Sequence, residues 1–382
     1  MIIRFALSIY GLWFLAGCSS SGPEPPQPDL SEAYPEVQEF LQQQRMAIAV
    51  RPDSADAWAD YGMALDAHEF NAAARECYRQ AVRLDPDEPQ WKYLLAARLQ
   101  HDAPQEACRL LADVAVGEDV SLAALLLYAD VLASLNLDEQ RQEVLRRAAV
   151  EEPGHPAVRF RLARLALQQS RLEEAERLLQ QLQQEFAETA RLKDQLALQQ
   201  GMEPNTSDPT RKSLPSVHDT VQDPWLAQVA GFRRDPLWRG KQAADEYRQG
   251  NELALLTLKS LVRRHPELVD NRLELVMLLL GQGELESANH FIREGLKQTS
   301  ENVRLLAAAG TVAIYQENWA SAQQLLEQVV NLQPADAAAW ADLGFVYEQA
   351  GDTDRARAAY EKSLQLQPDT HVQDRLHRLT GP

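Results

Sequence analysis

The chain of 382 residues carries 56 acidic against 38 basic side chains, a formal net charge of −18, with no basic stripe to offset it. Such a surface repels phosphate backbones, which excludes nucleic acid as a partner. Its cysteines, Cys18, Cys77 and Cys108, are too few for a disulfide framework.

Residues 1–17, MIIRFALSIYGLWFLAG, place a single positive charge at Arg4 before an apolar run from Phe5 to Ala16. That run falls short of the roughly 20 apolar residues of a membrane span. A basic start, an apolar core and small residues before a cut site read instead as a secretory signal peptide. Leu15-Ala16-Gly17-Cys18 resembles the bacterial lipobox. The resemblance implies cleavage before Cys18, diacylglycerol on its sulfur and a fatty acid on the new amino group. An ordinary signal peptide with a chance cysteine is the alternative. Each buried methylene contributes about 0.8 kcal/mol, so several chains on one residue would anchor the protein durably. Ser19 and Ser20 follow, rather than an aspartate. In a Gram-negative host that implies the periplasmic face of the outer membrane; in another host, the inner or plasma membrane. Loss of Arg4 leaves the mature chain one charge more negative, and acylated Cys18 is its sole expected membrane contact.

Residues 18–32, opening CSSSGPEPPQPDL, carry four prolines. They are expected as a disordered tether, on the order of 40 Å long at about 3.1 Å per residue. An N-terminal helical block is expected over 33–199 and begins with QEFLQQQRMAIAVRPDSA, a lone second helix ending at Pro52. The next stretch, ADAWADYGMALDAHEFNAAARECYRQAVRLDPDE, sets Trp58, Tyr61, Gly62, Ala74, Tyr78, Ala81 and Pro86 in a spaced pattern. A weaker unit keeps Trp91, Ala107 and Leu111, and two later ones are set by Ala148 with Pro153 and by Ala163, Ala175 and Leu179. Cys77 and Cys108 read as buried free thiols or, in an oxidising periplasm, as a bridge.

Residues 200–234 break the pattern. Their first part, QGMEPNTSDPTRKSLPSVHDTVQD, is polar and reads as a linker. Their second part, PWLAQVAGF, puts Trp225, Leu226, Val229 and Phe232 at near-helical spacing. This short helix either caps the open end of a C-terminal stack or folds back into a groove as an internal ligand. The C-terminal block spans 235–370, with 371–382 as a cap or tail. Pro266, Ser300, Pro334 and Pro368 recur every 34 residues. Second-helix positions are Ala254, Leu258 and Leu261, then Ala288, Ile292 and Gly295, then Ala322, Leu326 and Val329, and the opening helix of the first unit carries Trp238. In the last unit Trp340, Leu343, Gly344, Tyr347, Ala356, Tyr360 and Pro368 complete W-x2-L-G-x2-Y…A…P.

These residues resemble the tetratricopeptide-repeat family over roughly three quarters of the chain. The resemblance implies an all-α fold, a right-handed α-solenoid of about eight helix pairs in two blocks, because no single pair buries its own apolar face. It also implies a groove lined by first-helix positions one turn apart: Leu273, Met277 and Leu280; Ala307, Thr311 and Ile314, bordered by Tyr315; and Ala341, Phe345 and Glu348. The lysine and asparagine pattern that clamps a terminal carboxylate in some family members is absent. The helices LELVMLLLG and VRLLAAAGTVAIY are apolar nearly all round, so something should cover them. Candidates are an apolar helix of another envelope protein, the 225–232 segment or a second copy of the chain; a tightly wound repeat closing its own groove is the alternative. No H-E-x-x-H, G-x-S-x-G or C-x-x-C-H motif occurs. No catalytic residue, metal ligand or cofactor is expected. The resulting expectation is a non-enzymatic adaptor that assists an envelope complex, or else an accessory subunit recruiting an envelope hydrolase.

Overall fold

The computed structural model describes residues 23–117, 120–182, 184–204, 211 and 213–380. Regular structure among them is entirely helical, with twenty α-helices and short 3-10 turns. None of these helices is long and apolar enough to cross a membrane. The chain divides into two compact units, Met1–Arg233 and Arg234–Pro382.

In the N-terminal unit α1 (Pro35–Val50) precedes four antiparallel pairs. These are α2 (Ala55–Ala67) with α3 (Asn71–Leu84), α4 (Pro89–Leu99) with α5 (Pro104–Ala115), α6 (Leu122–Ser134) with α7 (Asp138–Glu151), and α8 (Pro156–Gln168) with α9 (Leu172–Gln180). After α10 (Ala187–Gln199), the unit ends with α11 (Pro224–Ala230). The C-terminal unit holds α12 (Pro236–Arg248) with α13 (Leu253–Arg264), α14 (Val269–Gly281) with α15 (Leu285–Gln298), α16 (Val303–Tyr315) with α17 (Trp319–Leu332), and α18 (Ala337–Gln349) with α19 (Thr353–Leu366). A final helix, α20 (Thr370–Thr380), packs on α19. Within each unit every second helix also packs on the first helix of the next pair, so successive pairs share one core.

The spaced residues explain the pairing. A Cβ on Gly62 would stand 2.9 Å from the Tyr78 ring, and one on Gly344 would stand 2.6 Å from the Tyr360 ring, so glycine is what lets each pair close. Trp58 Nε1 donates to the Pro52 carbonyl at 2.8 Å, and Trp340 Nε1 to that of Pro334 at 3.0 Å. Each tryptophan therefore ties a first helix to the turn closed by the preceding proline. Ser54, Asn302 and Asp336 cap α2, α16 and α18, accepting from the amides of Ala57, Leu305 and Ala339.

One expectation fails at the N-terminus. Residues from Pro23 onward are ordered against α1 and α2 rather than a free tether. Tyr61 Oη donates to the Pro26 carbonyl at 2.9 Å, Gln38 Nε2 donates to the carbonyls of Leu30 and Ala33, and Leu30 and Tyr34 pack on the core. A proline-rich segment lacks its own core, but its carbonyls remain good acceptors for donors on a neighbouring surface. Cys18 and the lipobox lie outside the described residues.

Candidate partner-binding faces

The first helices of successive pairs form one face of each unit. In the N-terminal unit that face carries the chain's own segment from Ser213 to Phe232. The segment runs against the order of the pairs, from α10 and α8 back to α4, α2 and α1. Its first half is fixed. The Ala187 amide donates to the Pro215 carbonyl at 3.0 Å, while Glu188 accepts from Ser216 Oγ and from the Val217 amide, both at 2.9 Å. Burial pushes the Glu188 carboxyl up, but these bonds outweigh it and hold the group below the usual carboxylate range. Val217 is 0 % exposed, in a 3-10 turn packed on α8 and α10.

The second half is α11 with its flanks, packed on α2 and α4. Asp223 caps α11, accepting from the amides of Trp225 and Leu226, and also accepts from Tyr93 Oη. Burial, followed by that bond to Asp223, drives the Tyr93 phenol far upward, so it stays a donor. The Trp225 ring lies 4.8 Å from the Tyr93 ring, and Phe232 lies 6.2 Å from Phe40 of α1. Gln90 Nε2 donates to Gln228 Oε1 at 2.7 Å. Val229 is 7 % exposed, whereas Trp225, Leu226 and Phe232 are only half-buried. These partners lie in the N-terminal unit, which overturns a cap on the C-terminal stack. Tyr93, Gln90, Phe40 and Glu188 were missed in the sequence. The near-helical spacing of Trp225, Leu226, Val229 and Phe232 pointed to a helix, but not to its seat; Asp223-Pro224 is the start signal that was available.

In the C-terminal unit consecutive first helices touch one another directly: α12 with α14, α14 with α16, and α16 with α18. That contact absorbs much of the apolar surface that the sequence left uncovered. Leu280 is 8 % exposed and belongs to the core with Val276 and Leu279, a correction to its placement on the groove. Leu273, Ala307, Thr311, Ile314 and Ala341 are half-buried, and Thr311 Oγ1 donates to the Ala307 carbonyl at 3.2 Å. Phe345 meets Trp319 edge-on at 5.9 Å, with the Arg375 guanidinium of α20 4.5 Å from its ring centroid. Glu348 is likewise engaged, accepting from Tyr360 Oη at 2.6 Å and Arg375 Nη1 at 3.1 Å. Phe345 and Glu348 thus join α18 to α17, α19 and α20, a role the repeat pattern did not show. Met277 and Tyr315, each 60 % exposed, are the members of the set that project from the face.

Cys77 and Cys108 are free thiols. Burial raises both, and at Cys108 a bond to Tyr128 pulls the other way. Among the described residues no cluster of three His, Cys, Asp or Glu side chains is placed to hold a metal ion.

Tetratricopeptide-repeat models match residues 62–119, 142–198 and 313–379. Over these three stretches the chain is similar to tetratricopeptide repeats. Such repeats act as protein-interaction scaffolds. A stretch of 123 residues is 28% identical to human cilia- and flagella-associated protein 70, covering 32% of this chain and 11% of that protein. Among solved structures, MamA from Desulfovibrio magneticus RS-1 is 23% identical, over 38% of this chain and 85% of that one, with a TM-score of 0.35. The first repeat domain of Spaghetti, bound to an HSP90 peptide, is 18% identical over 28% of this chain and 87% of its own, with a TM-score of 0.28. The Cut9–Hcn1 hetero-tetramer is 13% identical over 89% of this chain and 59% of its own, with a TM-score of 0.35.

Proposed function

We propose that the protein is a non-enzymatic adaptor, anchored by acylated Cys18 to the periplasmic face of the outer membrane, that holds partners during assembly of an envelope complex such as a pilus, secretion pore, polysaccharide exporter or barrel-assembly machine. The observation that carries this reading is the first-helix face of the C-terminal unit, where Met277 and Tyr315 stand exposed on neighbouring helices. Contiguous apolar surface on a repeat face marks contact sites for other proteins, and α14 and α16, which carry these two side chains, pack against one another. The face is built on rigid helices, and Phe345 beside it is already braced by Trp319 and Arg375.

Photo-crosslinking residues at Met277 and at Tyr315 in living cells, with adducts identified by mass spectrometry, test the reading. Adducts to components of an envelope assembly are expected. Adducts dominated by a peptidoglycan hydrolase would instead make the chain a recruiter of that enzyme, and adducts to its own residues alone would remove the adaptor reading for this face. The anchor has a separate test. Cys18→Ala should abolish palmitate labelling and release the chain from membranes; unchanged labelling would end the lipoprotein reading.

A further inference from the structure

The two halves of the segment on the N-terminal face are held differently. Residues 213–221 are pinned by Glu188, by the Ala187–Pro215 bond and by a Val217 side chain with no solvent exposure. The arm that follows, Asp223–Phe232, has one buried apolar anchor, Val229, while Trp225, Leu226 and Phe232 keep part of their surface in water. Two of its side-chain bonds to the face, Asp223 with Tyr93 and Gln228 with Gln90, lie at partly or fully exposed positions. Its helix has seven residues, too few to persist without the face beneath it.

We propose that the face formed by α1, α2 and α4 is a second peptide-binding site, closed by the arm acting as an intramolecular pseudo-ligand. The arm swings out about the pinned Val217 turn when a partner segment of the same chemistry competes for the seat. That chemistry is read from the contacts. The partner is a short helix-forming peptide that opens with an acidic residue, to accept from Tyr93 Oη. It carries an aromatic side chain two positions later for the Tyr93 ring, an aliphatic one six positions on for the Val229 seat, and a second aromatic nine positions on for Phe40. Tethering gives the arm a high local concentration, so it weakens any competing partner by the fraction of time the seat is closed. The site lies in the N-terminal unit and does not rest on the C-terminal face.

A fluorescein-labelled synthetic peptide of residues Val221–Arg233 tests this against the full chain by fluorescence anisotropy. Trp225→Ala combined with Phe232→Ala in the full chain should loosen the arm and bind the peptide about 10- to 100-fold more tightly than the wild type. Adding Tyr93→Ala to that variant should abolish the gain. A folded loosened variant that binds no better than wild type would overturn the proposal. So would a variant that fails to fold, since an arm required for folding cannot be displaced. Hydrogen exchange on the wild-type chain gives a reading free of substitutions. The amides of Ala227–Phe232 should exchange at least about tenfold faster than those in the middle of α2 and α4, through local opening. Equal protection would make the arm a permanent part of the fold.

Discussion

The two units meet the same problem, a first-helix face too apolar to leave in water, and answer it differently. In the C-terminal unit neighbouring first helices touch directly, taking Leu280 into the core and leaving Met277 and Tyr315 outside. In the N-terminal unit α2 and α4 are instead overlaid by α11, with Trp225 and Phe232 seated on Tyr93 and Phe40. Repeat proteins build stability from pair to pair, so each unit closes its own surface locally. A face closed by its own first helices offers a shallow strip for a partner. One closed by a separate segment offers a seat whose occupant has already been chosen for shape and chemistry.

If this difference lies only in the faces, the helix pairs beneath them should respond alike to the same insult. Gly62→Ala and Gly344→Ala test that. Each added Cβ meets a tyrosine ring, Tyr78 at 2.9 Å or Tyr360 at 2.6 Å, and neither ring is free to retreat. Tyr78 Oη donates to Asp66, itself paired with Arg98, and Tyr360 Oη donates to Glu348, itself paired with Arg375. Overpacking of this kind costs about 1–3 kcal/mol. The expected result is a lower urea midpoint for both variants, with Gly344→Ala the more damaging because its contact is closer. No loss in either would mean that the paired helices slide apart cheaply, and the shared core would be less constraining than the spacing implies.

The pairs were legible because their determinants recur. Trp58 and Trp340, Gly62 and Gly344, and the proline after each second helix are local signals, and each is explained by a contact inside one repeat or across one turn. The arm was half legible. Its spacing called for burial, but its seat depends on Tyr93, 130 residues away from Asp223, and no periodicity links the two. Leu280 was misplaced, and the bracing of Phe345 missed, for a related reason. Repeat position says which way a side chain leaves its own helix, not how closely the next first helix approaches or that Arg375 of a terminal helix lies over the ring. The proline-rich entry was misread because composition reports what a segment buries by itself. It is silent on Tyr61 and Gln38, which bond to its carbonyls.

The smallest expected effect separates the units by charge. Asp60 in α2 and Asp342 in α18 occupy the same place, two residues after the tryptophan in W-A-D-x-G. Both carboxyls are pushed up, first by burial and then by a neighbouring aspartate, Asp56 or Asp336, but Arg51 pulls Asp60 back. Asp342 has no such opposing cation and is raised to about 6 from 3.8. A folded-state value above the unfolded one means that folding favours the protonated acid. Asp342's own contribution to the C-terminal unit is therefore most favourable below about pH 4, is lost as pH rises towards 6, and stays level above that. Partial solvent access limits the loss to about 1–2 kcal/mol. Asp342→Asn, which cannot ionise, should match the wild type at pH 4 and melt higher at pH 7.5, while Asp60→Asn should gain less. Thermal melts at the two pH values check it. A gain of equal size at both would show that Asp342 is limited by packing rather than by ionisation, and the electrostatic contrast between the two units would vanish.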